Sequence, residues 1–121
     1  MQVSIQNRSV LYGSRVTELV AEGIYEAELI DVVPFANTFG ERIGLVFEIT
    51  AGRYQGSEIM ESAAATGSSR GKLAELVRGI GGAEVSPLSA RELIGRHCFI
   101  GVKHEKNKAG KTFAAITQTF T

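Results

Sequence analysis

A dense group of lysines lies near the end of the chain, although the protein as a whole carries a formal net charge of zero. Its members are Lys103, Lys106, Lys108 and Lys111, and Glu105 is the one acid between them. Lysines at this density replace the counterions of nucleic-acid phosphates. They are equally typical of a solvated hairpin tip. The spacing therefore predicts either a phosphate-binding loop or a solubilising turn, and the sequence alone leaves both open.

Aromatic and basic residues elsewhere in the chain extend this candidate site. Phe35 and Phe39 lie among turn formers in the segment PFANTFG, where a large ring either folds back into the core or is displayed. Unpaired bases stack on displayed rings with about 1 to 3 kcal/mol per base. Tyr54 and Phe99 are expected to add stacking surfaces. The remaining residues expected to line the groove are Arg42, Arg53 and Phe113.

Two patterns that would indicate catalysis or metal binding do not hold. The segment GSSRGKL is one residue too short for a phosphate loop, and Leu73 stands where a hydroxyl must bind magnesium. His97, Cys98 and His104 have the residue types of a metal site. However, His97 and Cys98 are neighbours on a predicted strand, so their side chains point to opposite faces. Cys98 and His104 are about 20 Å apart at roughly 3.3 Å per residue, too far to share an ion. We therefore predict a protein without cofactor or metal that is not an enzyme.

Length and composition fit one globular domain, with 121 residues of which 44% are hydrophobic. No apolar run approaches the roughly 20 residues needed to cross a bilayer, and the segment MQVSIQNRSV lacks a signal-peptide pattern. We expect a cytoplasmic protein without a membrane partner. Residues 1–65 hold four arginines against nine acids, net −5, and residues 66–121 hold nine basic residues against four acids, net +5. The basic character is therefore local.

Hydrophobic periodicity predicts five strands and one main helix. Apolar residues alternate from 41 to 50, as in a half-buried strand. The preceding strand, 23–33, changes its apolar phase, which predicts a bulge near residues 29 and 30. Leu73, Leu76, Val77 and Ile80 have the spacing of an amphipathic helix of about three turns. The other predicted strands cover 58–64, 96–104 and 111–120.

This order, with the helix between the third and fourth strands, is that of a five-stranded OB-fold barrel. An SH3-like barrel and a small α+β sheet compete with it. We assign the OB-fold domain to residues 22–121, and an N-terminal arm or extra hairpin to residues 1–21. In an OB fold the loops between strands 1 and 2 and between strands 4 and 5 flank the oligonucleotide-binding face. The aromatics and the lysines fall in those two loops, which favours nucleic-acid binding.

Four segments carry a family resemblance: EGIYEAELIDV, ERIGLVFEITAGRYQGSEI, GKLAELVRGIGG and ELIGRHCFIGVKHEKNKAGKTFAAI. In this order they resemble phage and prophage proteins of the OB-fold, single-stranded DNA-binding type, many of them of unknown function. The resemblance covers about residues 22 to 120 and implies DNA binding in replication or recombination, in the cytoplasm of a bacterial host. Most of the matching positions are glycines and apolar residues, which specify a fold more than an activity.

The sequence therefore predicts a module that binds single-stranded DNA with little sequence preference. The competing hypothesis is a structural or protein-interaction OB-like module of a phage or mobile-element assembly. A homo-oligomer and a preference for DNA or RNA both stay open.

Overall fold

The computed structural model describes residues 19–81 and 83–121. The arm or hairpin predicted for the start of the chain lies outside these residues up to position 18. The elements in chain order are β1 (Gly23–Asn37), β2 (Gly40–Ile49), β3 (Glu58–Ala64), α1 (Lys72–Gly79), a 3-10 helix (Pro87–Leu93), β4 (His97–Lys106) and β5 (Thr112–Phe120). In this part of the chain, neither helix has the length and hydrophobicity that a membrane span requires.

The strands form one antiparallel sheet in the order β3-β2-β1-β4-β5. This confirms the predicted β-rich fold, with five strands and α1 between the third and fourth. The apolar residues of β2 alternate with polar ones because, as predicted, one face of the strand is buried. Leu45, Phe47 and Ile49 are fully buried on that face of the sheet. We call this the core face, and its opposite the outer face.

The bulge predicted in the first strand is confirmed. Leu29 pairs with Phe47 and Asp31 pairs with Val46, so Ile30 is the extra residue. The bulge moves the apolar set to the other parity, and Leu29 and Val32 are both buried as a result. Without this insertion one half of the long β1 strand would turn its apolar side chains toward solvent.

The helix α1 packs on the sheet through the residues that its periodicity indicates. Leu73, Leu76 and Val77 are buried, and Ile80 is buried directly after the helix. The helix has eight residues, fewer than the three turns predicted. The chain leaves the helix at Gly81, whose φ of 92° is in the left-handed region that favours glycine.

Gly79 allows α1 to lie close to β5. The Thr119 hydroxyl donates to the Leu76 carbonyl at 2.8 Å. A Cβ atom on Gly79 would be 2.1 Å from the Thr119 carbonyl oxygen, a distance that real Cβ atoms do not show. The contact between helix and strand therefore depends on the absence of a side chain at this position.

A side-chain carboxylate joins the two outermost strands of the sheet. Glu61 of β3 is nearly buried and accepts a hydrogen bond from the Ile116 backbone N–H of β5 at 2.9 Å. Its other oxygen accepts from Lys72 Nζ of α1. One carboxylate thus satisfies a backbone donor of β5 and fixes the start of α1 against both strands.

Removing the Glu61 side chain is expected to lower stability more than removing its charge. Glu61→Ala leaves the Ile116 N–H without its acceptor, at a cost of about 1 to 3 kcal/mol. Glu61→Gln keeps a carbonyl oxygen for that N–H and loses only the ion pair with the half-exposed Lys72, worth about 0 to 1 kcal/mol. Urea unfolding of the two variants measures the difference. Equal losses would show that the charge, and not the Ile116 bond, supplies the stability.

Candidate nucleic-acid interface

The loop predicted to carry the lysines is an ordered turn, residues 106–111, which we call the lysine turn. The side chain of one asparagine stabilises it. Asn107 Oδ1 accepts hydrogen bonds from the Ala109 N–H at 2.9 Å and the Lys111 N–H at 3.0 Å. The Asn107 backbone N–H donates to the Lys111 carbonyl, and Gly110 has the φ of 83° expected of a turn glycine. The sequence analysis did not identify Asn107, although asparagine is a turn former whose side chain bonds the backbone two residues further on.

The four lysines extend from this turn into solvent. Lys103, Lys106, Lys108 and Lys111 are all exposed, and none forms an ion pair with a residue in the described ranges. The acid that interacts with one of these lysines is Glu22. The pKa of Glu22 is lowered mainly by the hydrogen bond from the His104 backbone N–H and, to a smaller degree, by the charge of Lys103. The lysines therefore keep their hydrogen-bonding capacity for a ligand.

The outer face of β4 and β5 carries aromatic side chains beside these lysines. Phe99 and Phe120 are cross-strand partners whose rings stack at 5.4 Å with an interplanar angle of 19°, and each is 37% exposed. Lys103 follows Phe99 on the same face of β4, as its parity predicts. Phe113 lies opposite Glu105 and is also exposed. Lysine and ring surfaces thus share one face of this hairpin.

Phe120 is a candidate residue that the sequence did not identify. Phe113 and Phe120 have opposite parity along β5 and should face opposite sides of a regular strand. The register of β4 and β5 shifts between Gly101 and Val102, which leaves Thr117 as the extra residue and puts both rings on the outer face. No local pattern marks this bulge.

Tyr54 does not offer the stacking surface that the sequence predicts. It is only 8% exposed, and its ring meets that of Tyr25 edge to face at 5.8 Å and 87°. The Arg53 guanidinium lies 5.2 Å from the centre of the same ring. Both contacts place the Tyr54 ring in the wall of the core, so a base has no access to its face, while Arg53 is exposed at the surface.

The two aromatics predicted for the first loop lie outside the core, Phe39 in the turn and Phe35 near the end of β1. Phe39 is 80% exposed, at a turn in which its N–H donates to Asn37 Oδ1 at 2.8 Å. Phe35 is half-buried on the outer face opposite Arg42, which itself donates to Ser62 Oγ at 3.1 Å. Neither ring belongs to the core cluster, so they do not plug the interior.

The two loops lie at opposite ends of the sheet. Gly23, at the start of β1, pairs with Val102 near the lysine turn, whereas β1 ends at the turn into β2. Between these ends an acidic row crosses the outer face, in which Glu28 pairs with Glu48 and Glu48 pairs with Glu58. Three carboxylates in adjacent strands repel phosphates as well as one another. The structure thus groups the lysines with Phe99, Phe113 and Phe120, and separates them from Phe35, Phe39 and Arg42.

The residues that could resemble a metal set have separate partners. His97 Nε2 lies 3.8 Å from a Glu28 oxygen on the outer face, and Cys98 is buried in the core. A ring nitrogen of His104 lies 2.8 Å from the Val20 carbonyl oxygen. Within residues 19–81 and 83–121, no group of three or more potential ligands is placed to hold a metal ion.

Cys98 is expected to resist alkylation in the folded protein. Burial raises the pKa of its thiol from the ordinary value of 9.0 to about 11. At about pH 8 little of the reactive thiolate forms, so iodoacetamide should label Cys98 only after unfolding. Stability should fall as pH rises above 9.0, since the unfolded chain then releases a proton that the folded chain keeps. Rapid labelling without denaturant, followed by mass spectrometry, would contradict this assignment.

Comparison with known proteins identifies no relative whose function could be transferred to this chain. No protein-family model matches the chain, and no curated protein matches it. The resemblance to phage single-strand binders gains no support from these comparisons and stays an expectation from the sequence segments. The geometry of the sheet and the chemistry of its outer face therefore carry the functional assignment.

Proposed function

We propose that this protein is an OB-fold barrel that binds single-stranded DNA with little sequence preference, through the outer face of β4 and β5 and the lysine turn. The strand order and the position of α1 between β3 and β4 are those of an OB fold. In an OB fold β3 and β5 meet and close the barrel. The Glu61 to Ile116 hydrogen bond between those strands and the bulge that bends β1 both support closure. Phage replication or recombination, as the setting, rests on the sequence resemblance alone.

One observation carries the proposal. Lys103 and Phe99 lie on the same exposed face of one strand, with the stacked Phe120 beside them and three further lysines in the adjoining turn. A single strand needs this combination: cations for its phosphates and flat apolar surfaces for its unpaired bases. A hairpin that served only solubility would need the lysines but not a pair of half-exposed rings.

The acidic row limits the path of the bound strand. A strand crossing the sheet from the lysine turn toward Arg42 would meet Glu28, Glu48 and Glu58, which repel its phosphates. A strand following the β4 and β5 hairpin avoids most of this charge, although Glu26 lies beside Phe99. The proposed site is therefore short and lies along the hairpin.

Fluorescence anisotropy of a labelled oligothymidine tests this function. The protein is titrated at low and at moderate salt, with unlabelled duplex of the same length as competitor. Saturable binding that salt weakens and duplex fails to compete supports the proposal. No saturable binding at low salt, or equal competition by duplex, would exclude a single-strand binder.

The second candidate function is that of a protein-interaction module, favoured by the opposite end of the outer face. Phe39 and Met60 are exposed there, and the half-buried Phe35 pairs with Arg42. Exposed rings grouped with an arginine are typical of protein interfaces. The test is light scattering of the protein and of Phe39→Ser over a range of concentrations. A mass that falls toward the monomer in the variant supports self-association through this end, and a monomeric parent counts against it.

A further inference from the structure

Gly101 leaves a position without a side chain on the outer face of β4, between the aromatic pair and Lys103, and Gln118 covers it. Side chains on one face of a strand repeat every second residue, at about 6.6 Å, so Phe99 and Lys103 are about 13 Å apart. The cross-strand neighbours of Gly101 are Ile24 on β1 and Gln118 on β5. Gly101 is buried, and the Gln118 Cγ lies 2.8 Å from where a Cβ of Gly101 would be. The Gln118 side chain therefore fills the space between the rings and the lysine, and we call this surface the Gln118 patch.

Each side chain of the Gln118 patch offers something that an unpaired base needs. Ile24 is 53% exposed and, with the edge of the Phe99 and Phe120 pair, gives apolar surface. Gln118 is exposed, and its Nε2 lies 3.0 Å from where a Cβ of Gly101 would be. Its amide makes no hydrogen bond to any residue of the described chain. Lys103 supplies a cation on the same face.

We infer that the Gln118 patch is a base-binding subsite in which Gln118 donates to and accepts from the edge of one unpaired base, while Lys103 contacts the adjoining phosphate. The inference rests on the proposed function and adds to it a specific place for a base. A side-chain amide carries donors and an acceptor side by side. The Watson–Crick edge of each of the four bases also presents a donor next to an acceptor, and a rotating amide matches all of them. Recognition of this kind favours bases over bare backbone without strong sequence preference.

The test compares two probes of equal charge, a labelled oligothymidine of about 12 nucleotides, within the site sizes of such folds, and an abasic strand of the same length. Gly101→Ala displaces the flexible Gln118 side chain from its place over residue 101, and Gln118→Leu keeps the bulk and removes the amide. Gly44→Ala is the matched control, because Gly44 is an outer-face glycine of β2 covered in the same way by the flexible Met60 side chain. Thermal unfolding shows that each variant is folded.

We expect Gly101→Ala and Gln118→Leu each to weaken oligothymidine binding by about fivefold, the low end for loss of one base contact. Neither variant should change binding of the abasic strand, and Gly44→Ala should bind both probes as the parent does. If the parent binds and both Gln118-patch variants equal it, or lose affinity for both probes alike, the subsite is wrong and the proposed function stands. If the parent binds neither probe, the proposed function and the subsite fall together.

Discussion

Replacing Lys106 and Lys108 with glutamate is expected to weaken oligothymidine binding by at least about tenfold at about 50 mM salt. Both residues are exposed in a turn that Asn107 and Gly110 hold in shape, and neither forms an ion pair with a residue that the structure describes. The double variant should therefore keep its melting temperature while it loses two phosphate contacts.

The salt dependence of oligothymidine binding distinguishes the loss of a phosphate contact from an effect of the protein's net charge. For a single strand the slope of log affinity against log salt falls by about 0.7 for each phosphate contact removed, so the double variant should lose about 1.4. Arg70→Glu changes the net charge as much as Lys108→Glu does, at an exposed position before α1. Arg70→Glu should leave the slope unchanged. A double variant that binds as the parent does would remove the lysine turn from the interface.

Gly79→Ala is expected to destabilise the fold by about 2 to 3 kcal/mol, although alanine is the better helix former. In an exposed helix this change would stabilise by about 1 kcal/mol. Here the new Cβ would lie 1.9 Å from the Thr119 hydroxyl and 2.1 Å from its carbonyl oxygen. The hydroxyl can rotate away, but the carbonyl belongs to the β5 backbone, so α1 must move and its buried leucines lose contact.

Gly67→Ala is the control for that experiment. A Cβ on Gly67 would meet only the Leu88 side chain at 3.7 Å, an ordinary contact. Its free energy of unfolding in urea should stay within about 0.5 kcal/mol of the parent value, as for most surface changes. If Gly79→Ala is as stable as Gly67→Ala, the close packing of α1 on β5 is not what holds the helix.

Features that depend on neighbours in the sequence were predictable. The alternation in β2 and the phase change in β1 gave the strand and its bulge, because both follow from the two-residue period of a strand. The helix position followed in the same way from its apolar spacing. Its length did not, because apolar spacing marks the buried face of a helix and not its ends.

The candidate site was predictable only where it is local. The lysine turn is contiguous in sequence, and the structure leaves its four cations exposed. The prediction for Tyr54 was wrong because its burial depends on Tyr25 of β1, which is distant in the sequence. The acidic row is invisible in sequence, since Glu28, Glu48 and Glu58 belong to three strands and meet only through register. Phe120 and Gln118 depend on the Thr117 bulge, which carries no signal.

The most direct test of the central claim is an NMR titration of the ¹⁵N-labelled protein with an oligothymidine of about 12 nucleotides, a length within the site sizes of such folds. The account predicts saturable shifts of the backbone amides of residues 99–103, 106–111 and 118–120, with those of residues 38–41 unchanged. Saturable shifts centred on residues 35–42 and 58–64, or no shifts at all, would contradict a nucleic-acid interface on β4 and β5.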